Sequence, residues 1–141
     1  MIAVDTNVLI YAHREECARH AAALVALREL AEDRAPWGLP VFTLAEFVRV
    51  VTHRRVFDPP SELPAALGFL SALLASPSAR LLLPAEGYAG DFLEACRAAD
   101  ARGNLAFDAQ IAAVCRQHGV STLLTADRDF ARFDALKPRY L

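Results

Sequence analysis

The sequence predicts an α/β fold, with a central, mostly parallel sheet flanked by helices on both faces, and three observations carry that expectation. Short apolar runs alternate with longer stretches of helical period, the pattern of repeated strand and helix units. Clusters of Pro, Gly, Asn and Asp separate the segments. A length of 141 residues matches one domain and suffices to bury an ordinary core, so a single domain over 1–141 is expected.

Met1 to Val4 is an apolar run of the kind found in a buried central strand, and Asp5 is its exit. Val8 to Ala12 reads as one or two helical turns. Glu16 to Arg34 follows as a longer amphipathic helix, with Cys17, Ala21, Leu24, Leu27 and Leu30 near one stripe. Ala35-Pro36-Trp37-Gly38-Leu39-Pro40 breaks it and has room for a short strand. A further helix is expected from Thr43 to Thr52, ending in the basic cluster His53-Arg54-Arg55. Asp58-Pro59-Pro60 is a breaker, and Ser61 to Ala75 resumes a helical pattern until Ser76-Pro77-Ser78 stops it. Arg80 to Leu83 is a strand candidate and Tyr88 to Ala101 a helix ended by Arg102-Gly103-Asn104. Phe107 to His118 makes another helix, closed by Gly119 at the expected C-terminal position. Val120 to Leu124 is β-compatible, Asp127 to Phe133 is a short helix, and the tail to Leu141 returns as an edge strand.

Composition narrows the class. Hydrophobic residues make up 55% of the chain, which points to a compact fold with apolar surface to spare for a partner. The apolar stretch Leu67 to Ala75, between Pro64 and Pro77, falls short of the roughly 20 residues that a membrane span needs. Cys17, Cys96 and Cys115 lie far apart, with no C-x-x-C pair. An odd count without a secretory signal predicts reduced thiols in a cytoplasmic protein.

The chemistry concentrates in carboxylates placed where strands end or helices begin: Asp5, Glu46, Asp108, Asp127 and Asp129. In an open α/β sheet the carboxyl ends of the strands line one crevice, so acids distant in sequence converge there. Converging carboxylates repel one another unless they take up protons or a cation. Hard oxygen ligands with room for water suit Mg²⁺ or Mn²⁺, and phosphate chemistry is the common use of such a site. The formal charge of −2 argues against a simply basic nucleic-acid binder. Setting those five acids aside from the 17, however, leaves 12 against 15 basic residues, and a bound cation adds to that remainder.

Each acid has a structural alternative. Thr43 and Glu46 have the spacing of a capping box. Asp108 fits a helix cap or first turn, Asp127 a cap for the helix after it, and Asp129 a solvated position. Asp5 resists such a reading, because a charge buried at the end of a central strand costs several kcal/mol, on the order of 3–5, unless it is partnered. Thr6, Asn7 and Thr125 are suited to supply hydrogen bonds, or to form turns.

Four segments in this order carry a family resemblance: Val4-Asp5-Thr6-Asn7-Val8-Leu9, Leu44-Ala45-Glu46, the block from Gly103-Asn104-Leu105 through Phe107-Asp108 to Ala113, and Leu123-Leu124-Thr125-Ala126-Asp127-Arg128-Asp129-Phe130. Together they resemble a PIN-domain nuclease, and within that family the VapC toxins of VapBC toxin–antitoxin pairs. The resemblance covers essentially the whole chain. It implies that Asp5, Glu46, Asp108 and Asp127 hold Mg²⁺ or Mn²⁺ for cleavage of RNA, with Asp129 lining the same pocket. Thr6 and Asn7 match residues that orient the first acid, and Thr125 a hydroxyl near the reacting phosphate. No departure occurs at these positions. The family also implies a cognate antitoxin protein and a homodimer.

Cations for the RNA backbone are sought in His53, Arg54, Arg55, Arg102 and Arg128, with Arg14 and Arg132 beside them. His13, His20 and His118 read as surface residues. Phe57, Tyr88 and Trp37 are candidates to stack a base, or to pack in the core. The apolar stripe of the Glu16 to Arg34 helix, and Phe47, Val50 and Val51 after Glu46, are the faces expected to meet the antitoxin. Two other readings compete outside the toxin pair. One is a PIN nuclease of RNA processing. The other is a phosphoacceptor receiver-like module, which wants a lysine after a late strand where this chain has Thr125 and only Lys137 nearby.

Overall fold

The apolar run at the start of the sequence becomes β1 (Ile2–Val4), the middle strand of a five-stranded sheet in the computed structural model, which describes residues 1–141. The chain continues through α1 (Thr6–His13), α2 (His20–Glu32), β2 (Trp37–Pro40), α3 (Phe42–Val51), α4 (Leu63–Leu74) and β3 (Ala79–Leu82). It then runs through α5 (Tyr88–Ala99), α6 (Leu105–Gln117), β4 (Thr122–Thr125), a short 3-10 helix (Arg128–Arg132) and β5 (Lys137–Tyr140).

The strand order is β3-β2-β1-β4-β5, and every neighbouring pair is parallel. A wholly parallel sheet is the outcome when each strand returns through a helical crossover and no hairpin forms. From β1 the chain steps outward to β2 and β3, then returns to the other side of β1 for β4 and β5. The order therefore reverses between β1 and β4, and a crevice opens beyond the carboxyl ends of those two strands.

Alternation along the strands sorts side chains into two cores. Ala3 and Leu123 face one layer, with Ile111, Val114, Cys115 and Phe130. Val4 and Leu124 face the other, with Val8, Leu9, Trp37, Leu39 and Phe47. Gly38 sits between β1 and β3 where a Cβ would come 2.7 Å from Leu82 Cδ1, so only glycine fits without displacing that side chain.

Several expectations change. The second helix starts at His20, not Glu16, because residues 14–19 form turns: Cys17 N–H donates to Arg14 O and His20 N–H to Cys17 O. Its buried stripe is Ala23 and Leu27, while Ala21 is exposed and Cys17 lies ahead of the helix. Phe47 and Val51 are fully buried in the core, which removes them as a docking face. The apolar surplus is displayed on α4 instead, where Leu63, Leu67 and Leu74 are exposed. His13 is no surface residue: it packs against the rings of Phe47 and Phe69 and bonds Ser61 Oγ at 2.9 Å. Trp37 is wholly buried, Tyr88 stacks on Phe42, and Phe57 lies under the Arg14 guanidinium, so all three pack within the protein.

Candidate active site

Asp5 leaves β1 at the reversal of strand order and caps α1, with 4% of its surface exposed. Three donors converge on it. Thr6 N–H reaches Oδ1 at 2.7 Å, while Asn7 Nδ2 at 2.5 Å and Thr125 Oγ1 at 2.6 Å both reach Oδ2. Asn7 is held in turn, its Oδ1 accepting from Ala126 N–H at 3.1 Å, and the Thr125 hydroxyl oxygen accepts from Asp127 N–H at 2.9 Å. The ends of β1 and β4 are thus tied through one carboxylate. Burial pushes the Asp5 carboxyl up to about 7, against the lowering effect of the Thr125 and Thr6 bonds and with the charges of Glu46 and Asp127 adding to the rise.

Glu46 lies in the second turn of α3, and the capping-box reading fails. No side chain caps that helix, and Thr43 Oγ1 donates to Pro40 O at 2.8 Å. Glu46 Oε2 instead accepts from Thr6 Oγ1 at 2.7 Å, the hydroxyl next to Asp5. The glutamate is therefore turned toward the acid crevice.

Asp108 stands in the first turn of α6 and Asp127 caps the 3-10 helix, its Oδ1 accepting from Asp129 N–H at 2.8 Å. The cap role and the crevice position of Asp127 coexist. Asp108 is also pushed up to about 7, first by its partial burial and then by the charges of Asp5, Asp127, Glu46 and Asp129. The charges of the other four acids anticipated from the sequence therefore all reach Asp108, and those of Glu46 and Asp127 also reach Asp5, where α1, α6 and the 3-10 helix begin.

No ion pair reaches this cluster. The ion pairs are Arg14 with Glu16, Arg97 with Glu94, Arg102 with Asp100 and Arg116 with Asp91, and none involves the five acids. The donor set is hard oxygen, suited to a small divalent cation. No three acidic, histidine or cysteine side chains are gathered closely enough to grip an ion by themselves. The cysteines take no part: burial pushes the Cys115 thiol up to about 12, far from a reactive thiolate.

The cationic candidates separate. Arg102 and Arg132 line a cleft with Asp129, beside the acids. Arg128 is exposed at the start of the 3-10 helix. His53, Arg54 and Arg55 are exposed beyond the far end of α3, about 10 Å along the helix from Glu46 by its rise per residue. Arg14 is engaged with Glu16, Ser61 and the Pro59 carbonyl, and so braces the loop before α4. On the other side of Glu46 a groove between α3 and α6 is lined by Arg49, which no sequence motif marks out, and by Asn104, Phe107 and Gln110 from the block around Asp108.

Comparison with known proteins accords with this geometry. The family model described as PIN domain matches residues 2–136. Ribonuclease VapC43 of Mycobacterium tuberculosis is 44% identical over 140 residues, covering 99% of this chain and 95% of the relative. The chain belongs to the VapC family of PIN domains. Its fold also matches that of VapBC2 from Rickettsia felis, solved bound to a DNA fragment from its promoter, with a TM-score of 0.72 at 19% identity over 99% of this chain and 98% of that one. Mycobacterium tuberculosis VapC20, described as a Sarcin-Ricin loop cleaving toxin, gives a TM-score of 0.69 at 23% identity over 93% of each chain. In this PIN domain Asp5 stands at the strand-order reversal, Glu46 is bonded to the neighbouring Thr6, and Asp108 lies within reach of the charges of the other four acids. No helix is long and apolar enough to cross a membrane.

Proposed function

We propose that this protein is a divalent-metal-dependent endoribonuclease, the toxin of a VapBC-type toxin–antitoxin pair, and that its site is the crevice of Asp5, Glu46, Asp108, Asp127 and Asp129. The observation that carries this reading is the buried Asp5 carboxylate, bound by Thr6, Asn7 and Thr125, with Glu46, Asp108 and Asp127 near enough to act on it and no ion pair to any of these acids. The relatives are named ribonucleases, which supports RNA as the substrate. Asp5, Glu46, Asp108 and Asp127 would hold Mg²⁺ or Mn²⁺, with Asp129 lining the pocket. Such an ion lowers the pKa of a bound water and stabilises charge on the phosphate and leaving oxygen. The protein's own part is placement. Asn7 and Thr125 fix the outer oxygen of Asp5, and Thr6 links Asp5 to Glu46 through its backbone N–H and its hydroxyl. Arg102, Arg128 and Arg132 supply positive charge for the RNA backbone next to the acids, with His53, Arg54 and Arg55 more remote.

An active ribonuclease needs restraint, and the partner proposed is a cognate antitoxin that covers the crevice and offers it a cation. A homodimer is proposed as the resting assembly, a two-fold contact being the simplest way to bury leftover apolar surface.

The test is sequencing of RNA ends after brief expression. Cuts bearing 5′-phosphate and 3′-hydroxyl are expected, whereas a cyclic phosphate would show attack by the 2′-hydroxyl and overturn the metal-water mechanism. Expression alone should arrest growth, and co-expression with the neighbouring gene should relieve it. Harmless expression of an RNA-cleaving protein would assign it to RNA processing outside a toxin pair.

Glu46→Gln separates structure from chemistry at one position. The amide oxygen can still accept from Thr6 Oγ1, so the Tm should stay at the wild-type value. Loss of the charge should weaken metal binding and cleavage by about tenfold or more. Wild-type cleavage by this variant would remove Glu46 from the site.

A further inference from the structure

We propose that the groove between α3 and α6 seats one unpaired nucleotide next to the scissile phosphate, with its base stacked on Phe107 and its phosphate held by Arg49. The inference rests on the ribonuclease reading and adds to it the residues that take the flanking base.

Helical spacing builds the groove. On α3, Phe42, Glu46 and Arg49 follow one another at four and three residues, and the small side chain of Ala45 leaves space beside them. Asn104, which immediately precedes α6, and Phe107 and Gln110 on α6 recur every three residues along the facing ridge. Glu46 belongs to this wall and to the acid cluster at once, and Phe107 directly precedes Asp108. A ligand in the groove therefore lies against the cleavage site.

The chemistry of the lining selects the occupant. Phe107 is 59% exposed, on a helix whose next residues are largely buried. An open ring beside a phosphate-cleaving site is a platform for an unstacked base, and such stacking accepts any base. Arg49 is exposed, joins none of the ion pairs, and is the one cation in the groove. It can offset there the repulsion that the acids exert on an incoming phosphate. Asn104 and Gln110 add donors and acceptors for a base edge. Duplex RNA does not fit this scheme, because its bases are stacked on one another and closed to the ring.

The test uses the full chain carrying Asp5→Asn, which keeps RNA whole, and a single-stranded oligoribonucleotide with 2-aminopurine at successive positions. Quenching at one position is expected on binding. Adding Phe107→Ala should abolish the quench and raise Kd about tenfold, and Phe107→Trp should retain both. Arg49→Ala should weaken binding to all sequences alike and lower the salt dependence by about one ion. In the cleaving protein, Phe107→Ala should raise KM and leave kcat nearly unchanged. Unchanged Kd and quenching in Phe107→Ala would overturn the inference. So would a variant that dissociates a dimer yet binds RNA normally, since the groove would then belong to a second copy. Cleavage indifferent to both residues defeats this inference and leaves the ribonuclease reading standing. Phe107-dependent binding without any cleavage by the unmutated protein does the reverse, and absence of RNA binding defeats both.

Discussion

Asp108→Asn should lower RNA cleavage by about 10²–10³-fold, the scale of losing one fixed charge-stabilising group, while the fold stands. Asp108 is the cleanest position for this measurement. Its carboxyl is raised by burial and by its four acidic neighbours, with no hydrogen bond contributing, so an amide removes charge and leaves no donor stranded. Asp5→Asn should be as inactive. It is structurally less neutral, because Asp5 Oδ2 accepts from two donors and an amide offers only one acceptor oxygen. Purified Asp108→Asn that cleaves RNA at the wild-type rate, with contaminating nuclease excluded, would exclude Asp108 from the site.

The metal-free protein should lose stability as pH rises from 5 to 8. The sign follows from the direction of the shifts: Asp5 and Asp108 are raised in the folded state from 3.8 to about 7, so the folded chain binds more protons than the unfolded one between those values. Their contribution is complete below about 3.8 and gone above about 7. For the buried Asp5, two pH units of that window correspond to about 3 kcal/mol, and the partly solvated Asp108 adds less. Thermal melts in chelator should therefore fall by roughly 5–10 °C between pH 5 and pH 8. Mn²⁺ should restore the midpoint at pH 8 and act weakly at pH 5, where protons already occupy the carboxylates. A midpoint that stays flat across this range would show that the two acids are not held together out of water.

Asp5 was legible from the sequence because few structural roles place a charge directly after a four-residue apolar strand. The parallel sheet was legible for a related reason, since its strands read as short runs between helical patterns. Glu46 was ambiguous: the spacing that makes a capping box is also the spacing of this glutamate from Thr43. Only the position of Thr6, 40 residues away in sequence, decides between them. Phe107 stands inside the block that carries the family resemblance, but its exposure gave no signal, because a phenylalanine on an apolar helix reads as core until its neighbours are placed. His13 read as surface and Arg14 as a contact for the RNA backbone because their partners, Phe69, Ser61 and the Pro59 carbonyl, come from a distant loop and helix. In each of these cases periodicity reported the residue's own helix and was silent about what packs against it.

The bond from Thr125 to Asp5 spans 120 residues and has a bearing on synthesis. The first acid is translated long before β4, and its strand cannot acquire that neighbour, nor its carboxylate the Thr125 donor, until residues 122–125 have been made. Contacts of such long sequence separation form late in folding. A nascent chain that has not yet reached β4 therefore carries an unassembled site, and the bond network around the first acid becomes available to substrate or inhibitor only once that strand is in place.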